Sequence, residues 1–150
     1  MPYDFLIGDL GQNKSPRGIG TDKGLAKIGD GVVNLAYSTA KSLCLSEKNK
    51  DKPIRTGTQV NQTILSNALK NAGLKTYAKT RADAHALADT AEALIAYIWL
   101  GNKMTLTQII DLLAENLSGD LHIRRQEIDG ATNAFTVLLK HITQFLPESK

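Results

Sequence analysis

Leu25–Asn34 reads LAKIGDGVVN, and two residues in its middle do not suit an ordinary core helix. Leu25, Ile28, Val32, Leu35 and Ala36 recur at helical spacing, which predicts a helix from a cap at Thr21 or Asp22 to about Leu45. Gly29 interrupts that helix at a cost of about 1 kcal/mol relative to alanine. Asp30 sets a carboxylate beside an apolar stripe, which costs more unless something pairs with it. Together they suggest a site.

Working outward, helical periodicity recurs and strand alternation is almost absent, so the chain reads as all-α. The polar stretch SEKNKDKPIRTG (46–57), with Pro53 and Gly57, reads as a basic loop. A second helix fits Gln59 to Ala72, stopped by Gly73, and a third fits Ala82 to Leu100, ending at Gly101-Asn102. A fourth starts at the cap Thr105 and carries Leu106, Ile109, Ile110 and Leu113, and a last one runs from about Arg125 to Leu146. GIGTDKG (18–24) has no preceding strand and the wrong glycine spacing for a dinucleotide fingerprint, so it reads as a flexible lead into the first long helix. The expected architecture has about five to seven helices in one domain over 1–150: a lead segment (1–21), a central block (22–101) and C-terminal helices (102–150).

Composition excludes several classes. Cys44 is the only cysteine, so neither an internal disulfide nor a cysteine-rich zinc site is supported. The acidic N-terminal stretch MPYDFLIGDLG lacks the basic flank of a signal peptide, and the longest apolar run, Ala93–Leu100, is far too short to span a bilayer. A cytoplasmic protein with no membrane partner is expected. A net charge of +3 permits a polyanionic partner without demanding one.

The third helix holds the second anomaly. His85, Asp89, Glu92 and Ala96 fall at i, i+4, i+7 and i+11, on one stripe, among apolar neighbours Leu87, Ala91, Leu94, Ile95 and Ile98. Two carboxylates three residues apart repel each other, and a hard divalent cation such as Mg²⁺ turns that repulsion into binding.

These residues carry a resemblance. IGD followed by GVVNLAYS resembles the signature helix of the ribonuclease III family, written LEFLGD plus an apolar stretch, and ADTAEALIAYIWL resembles that family's second acidic helix, D-x-x-E-A-L-I-G. The intervening TGTQVNQTILSNALKNAGL sits where the family has a helix ending in Gly-Leu, so the likeness covers roughly Gly24 to Leu100. The resemblance implies a ribonuclease III-like endonuclease domain that cuts double-stranded or structured RNA, with Asp30, Asp89 and Glu92 as catalytic, metal-binding acids around Mg²⁺, or Mn²⁺ in its place. It also implies a two-fold homodimer, to which the first long helix and Leu94–Trp99 would contribute. Asp30 is then tolerated because it helps to bind a cation, and Gly29 because a backbone or substrate comes close.

The match has one gap. The first glutamate of LEFLGD falls on Ala26 and the neighbouring aromatic on Lys27; alanine at that place is similar to the minimal branch that reads LAYIGD. The last thirty or so residues read as one helix, so no double-stranded-RNA-binding domain is expected. Grip on RNA then falls to Lys48, Lys50, Lys52 and Arg55 in the basic loop, and to Lys75, Lys79, Arg81, Arg124 and Arg125. His85 reads as a residue supporting the acids, while Tyr97 and Trp99 read as packing. Two other functions stay open: a non-catalytic RNA-binding or ribosome-associated member of the family, and an all-α metal-dependent nucleotide phosphohydrolase.

Overall fold

Ala84–Leu100, the helix that carries the D-x-x-E sequence, is buried on nearly every side: Leu87, Ala88, Ala91, Ala93, Leu94, Ile95, Ala96 and Ile98 are all inside. A helix apolar all round belongs at the centre, and the others assemble about it. The computed structural model describes residues 2–10, 15–49 and 52–147. Among these residues there are six α-helices and no strand: α1 (Pro16–Gly20), α2 (Lys23–Lys48), α3 (Gln62–Asn71), α4 (Ala84–Leu100), α5 (Leu106–Asn116) and α6 (Arg124–Ile142). Helix α4 packs between α2 and α3, α3 packs on α6, α6 on α5, and α5 returns to α2, closing a ring of contacts about one core.

The helix starts are set by local chemistry. Asp22, Asn61 and Asp83 accept the backbone N–H three residues on from each, and Thr105 forms a reciprocal capping box with Gln108. The last helix stops at Ile142 and tightens into a 3-10 turn, Thr143–Phe145, short of the expected Leu146. Leu25, Val32 and Ala36 lie in the core as their spacing implies, but Leu35 is 55% exposed, and Val33, Tyr37 and Ala40 complete the inner face.

Two segments differ from their sequence reading. GIGTDKG is not a flexible lead. Ser15 caps α1 with Pro16 in its first turn, Ile19 is fully buried, and Thr90 Oγ1 donates to the Gly20 carbonyl at 2.7 Å. The glycines mislead because one of them is a contact point: a Cβ on Gly20 would strike the Tyr77 carbonyl.

The second difference is the basic loop, whose Ile54–Val60 part is an extended strap lying along α2. Ser46, Ser42, Ser38 and Asn34 accept the backbone N–H groups of Ile54, Thr56, Thr58 and Val60 at 2.8, 3.0, 2.9 and 2.8 Å. Four residues of helix rise about 6.0 Å and two residues of strand about 6.6 Å, so side chains at every fourth position of α2 meet alternate N–H groups of the strap. The Ser38 and Ser46 hydroxyls donate back to the carbonyls of the same strap residues, while the single Ser42 proton lies between the Thr56 carbonyl and the Ser38 carbonyl of its own helix. The strap thus satisfies its backbone as an edge strand would, on a helix. It also delays α3, which begins at Gln62 rather than Gln59.

Candidate active site

Gly29 fixes where α2 and α4 meet. A Cβ at this position would land on the carbonyl of Glu92, so only glycine lets the two backbones touch, and the next residue, Asp30, is carried against the Glu92 side chain. Gly29→Ala is therefore expected to lower stability by about 3 kcal/mol and to part the two acids, read as a lower melting temperature together with a loss of any cation-dependent stabilisation.

The two carboxyl groups are in hydrogen-bonding contact. Glu92 is 7% exposed, and its pKa is pushed up to about 8, first by burial, then by the hydrogen bond and charge of Asp30, and then by the charge of Asp89. At neutral pH the pair accordingly holds a proton on Glu92. Asp30 faces outward, contrary to the expectation that it is the acid sunk in a core-facing helix; the buried acid is Glu92, because α4 is the central helix. Asp89, half-buried, lies one turn from Glu92, and His85 Nε2 lies 3.5 Å from its carboxylate, a contact that becomes an ion pair when the imidazole is protonated.

All three acids line an open cleft of about 490 Å³, together with Ala26, Lys23 and Lys27. Ala26 lies one turn before Asp30 on the same wall. The site therefore has acids on α2 and α4 and two ammonium groups at its α2 side. Among the described residues neither Lys23 nor Lys27 is ion-paired, and no three His, Cys, Asp or Glu side chains are gathered tightly enough to enclose an ion. The donor set nevertheless fits a hard cation. Two carboxyl groups held together share a proton, and a Mg²⁺-type ion, which takes one or two protein carboxylates and keeps several waters, can replace that proton.

Residues 23–147 match the family model described as Ribonuclease III, so the chain belongs to the ribonuclease III family, a family of RNA-cleaving nucleases that generally use divalent metals. The match spans α2 to the end of the described chain and thus contains the whole cleft. No curated protein matches the chain.

The basic residues divide. Lys79 lines a small cavity that adjoins the cleft through Lys23, Ala26, His85 and Asp89, and Arg81 is exposed nearby with a left-handed backbone, φ 59°. Lys48 ends α2, about 27 Å along the helix from Asp30, and Lys52 and Arg55 flank the start of the strap at that same end. Lys50 lies outside the described residues. Arg124 is half-exposed, and its Nη1 donates to Glu127 at 3.1 Å.

That bond belongs to a cluster the sequence reading missed. Glu127, 4% exposed, accepts from Tyr37 Oη at 2.8 Å and pairs with Lys41 Nζ at 2.8 Å, tying α6 to α2 across the core. Burial by itself raises the Glu127 pKa, but the bonds to Lys41, Tyr37 and Arg124 outweigh it and hold the carboxyl below its usual range. Tyr37 is shifted the other way, upward, by burial and by the adjoining carboxylate. A second residue missed was Asn34, between Asp30 and the strap. Its signal was present as the run Asn34, Ser38, Ser42, Ser46 at a spacing of four.

Among the described residues no helix is long and apolar enough to cross a membrane. Of the segment Leu94–Trp99 expected at a dimer interface, Leu94, Ile95, Ala96 and Ile98 are buried in the core of the chain, while Tyr97 and Trp99 are half-buried.

Proposed function

We propose that this chain is a divalent-metal-dependent endoribonuclease that hydrolyses phosphodiester bonds in double-stranded or structured RNA, acting in RNA processing in the cytoplasm. The observation that carries this reading is the contact between exposed Asp30 and buried Glu92 in one open cleft, a proton-sharing pair that a cation would separate. Asp30 and Glu92 would hold the ion, Mg²⁺ or Mn²⁺, with Asp89 reaching it from the rim. A bound ion would supply an activated water and offset charge on the phosphate oxygens. The chain's own part is different. Glu92 would release its proton to water so that both acids serve as anionic donors, His85 would orient Asp89, and Lys23 and Lys27 would draw the RNA backbone into the cleft. Incubation of a labelled RNA duplex with Mg²⁺, with Mn²⁺ and with EDTA tests the reading; intact duplex in both metal arms overturns it.

Ala26 favours a second reading, a family member that binds structured RNA without cutting it, since the cleft lacks a carboxylate one turn before Asp30. Ala26→Glu separates the two: in an active but weakened nuclease it is expected to lower the Mg²⁺ concentration giving half-maximal cleavage by about tenfold. If wild type binds duplex without cutting it and Ala26→Glu cuts, the binding role is the correct one. The family match lends nothing to a nucleotide phosphohydrolase.

A homodimer is part of the proposal, because cutting both strands of a duplex calls for two sites related by symmetry. Leu35 and Leu43, 55% and 45% exposed on the outer face of α2, are the apolar residues suited to that interface. Light scattering is expected to give twice the 16.3 kDa chain mass at micromolar concentration, and Leu35→Glu to halve it.

A further inference from the structure

We infer that Asn34 is a positioning residue for Asp30, and that it couples the candidate metal ligand to the strap whose last residue, Val60, lines the cleft. The inference rests on the nuclease reading above and adds to it a residue outside the acids. Asn34 stands one turn after Asp30 on α2 and uses both ends of its amide. Its Oδ1 accepts the Val60 N–H at 2.8 Å, and its Nδ2 donates to Asp30 Oδ1 at 3.2 Å. A backbone N–H can only donate, so the oxygen of the amide must face the strap and the NH₂ must face Asp30. The orientation of the amide is thereby set by main chain rather than by a rotatable side chain.

The consequence falls on Asp30. It is exposed, on the lip of the cleft, and its remaining contact is the carboxyl of Glu92. An exposed aspartate with no donor samples several rotamers, and most of them do not point into the cleft. One fixed donor on Oδ1 selects a rotamer and leaves the other lone pairs of the carboxylate for the cleft. Groups that orient a metal ligand in this way commonly change metal affinity by about 10–100-fold when removed. Val60 itself lines the cleft next to Gln62, so the bond that anchors the strap at Val60 and the bond that orients Asp30 meet in one side chain. The other strap tethers, at Ser38, Ser42 and Ser46, are made by hydroxyls that touch no acid.

That difference supplies the test. Asn34→Ala removes one hydrogen bond to the strap, at Val60, and Ser38→Ala removes two, both at Thr58, so each is expected to lower the melting temperature by a few degrees. Only Asn34→Ala also removes the donor to Asp30. Binding of Mn²⁺ alone, by titration calorimetry, is expected to weaken about tenfold in Asn34→Ala and to stay at the wild-type value in Ser38→Ala. With duplex RNA, Asn34→Ala is expected to lower kcat with KM unchanged, and Ser38→Ala to leave both unchanged. Equal Mn²⁺ affinity and equal kcat in the two variants overturn the inference while leaving the nuclease reading intact. A wild type that neither binds Mn²⁺ nor cuts duplex overturns that reading, and the role of Asn34 with it.

Discussion

Glu92→Gln is expected to lower RNA cleavage by at least about 10³-fold while making the metal-free protein more stable at neutral pH. The first effect follows from charge. Glutamine keeps the shape of the side chain and its contact with Asp30 but offers a cation no negative oxygen, and a metal contribution of several kcal/mol to the transition state amounts to three or more powers of ten in rate. The second effect follows from burial. Glu92 titrates near 8 in the fold against an ordinary value of 4.5, so between those limits the folded state binds a proton that the unfolded chain has released. Stability then falls as pH rises through that window, by on the order of 3 kcal/mol at pH 7, and the neutral glutamine removes the slope. Thermal melts in EDTA from pH 5 to pH 8 should show wild type losing stability and Glu92→Gln holding it. Added Mg²⁺ should flatten the wild-type curve, because an ion that binds the ionised pair stabilises only the folded state. A wild-type curve that is flat in EDTA shows that Glu92 is not the proton-holding acid.

This pairing of lost activity with gained stability separates a functional acid from a structural one. A carboxylate that served the fold would lose stability on neutralisation. Gly29 points the same way, since its missing Cβ admits the Glu92 carbonyl and thereby forces two acids together, at a cost to the metal-free fold.

The parts of this arrangement differ in how far the sequence discloses them, and the reason lies in the range of the interactions. The helices were legible because their caps and apolar spacing are local: Asp22, Asp83 and Thr105 each act within three residues. Asp30, Asp89 and Glu92 stood out because charge inside an apolar pattern is rare. Which acid is buried was not legible, since α4 is apolar on all sides and periodicity carries no depth for such a helix. The loop was legible but its tethering to α2 was not, because its partners are side chains of α2 bound to its own main chain, a pairing that leaves little mark on the strap's residue types. Lys50 fell outside the described residues. Glu127 gave no signal, since its partners Tyr37 and Lys41 precede it by 90 and 86 positions.

Glu127→Ala is expected to destabilise the protein by about 3–5 kcal/mol, an effect on the fold larger than that of any single change in the cleft. The carboxylate is 4% exposed and meets two cationic groups and a phenol: Lys41 Nζ at 2.8 Å, Tyr37 Oη at 2.8 Å and Arg124 Nη1 at 3.1 Å. Removing it leaves the Tyr37 hydroxyl, itself fully buried, without its acceptor, and leaves the Lys41 ammonium with only Thr58 Oγ1 at 3.0 Å. Arg124 reaches water and loses little. The cost therefore arises from what is stranded, so a compensating change should recover part of it: Lys41→Met added to Glu127→Ala removes the stranded charge and is expected to restore about 1–2 kcal/mol, whereas Lys41→Met alone is destabilising. Because the Glu127 pKa is held low by these partners, its contribution is present above the usual carboxylate range and is lost as pH falls below it, opposite in sign to Glu92. Chemical denaturation of the four proteins of this cycle at pH 7, repeated at pH 4, measures both effects. Additive losses at pH 7 would show that Lys41 and Glu127 do not act as a pair.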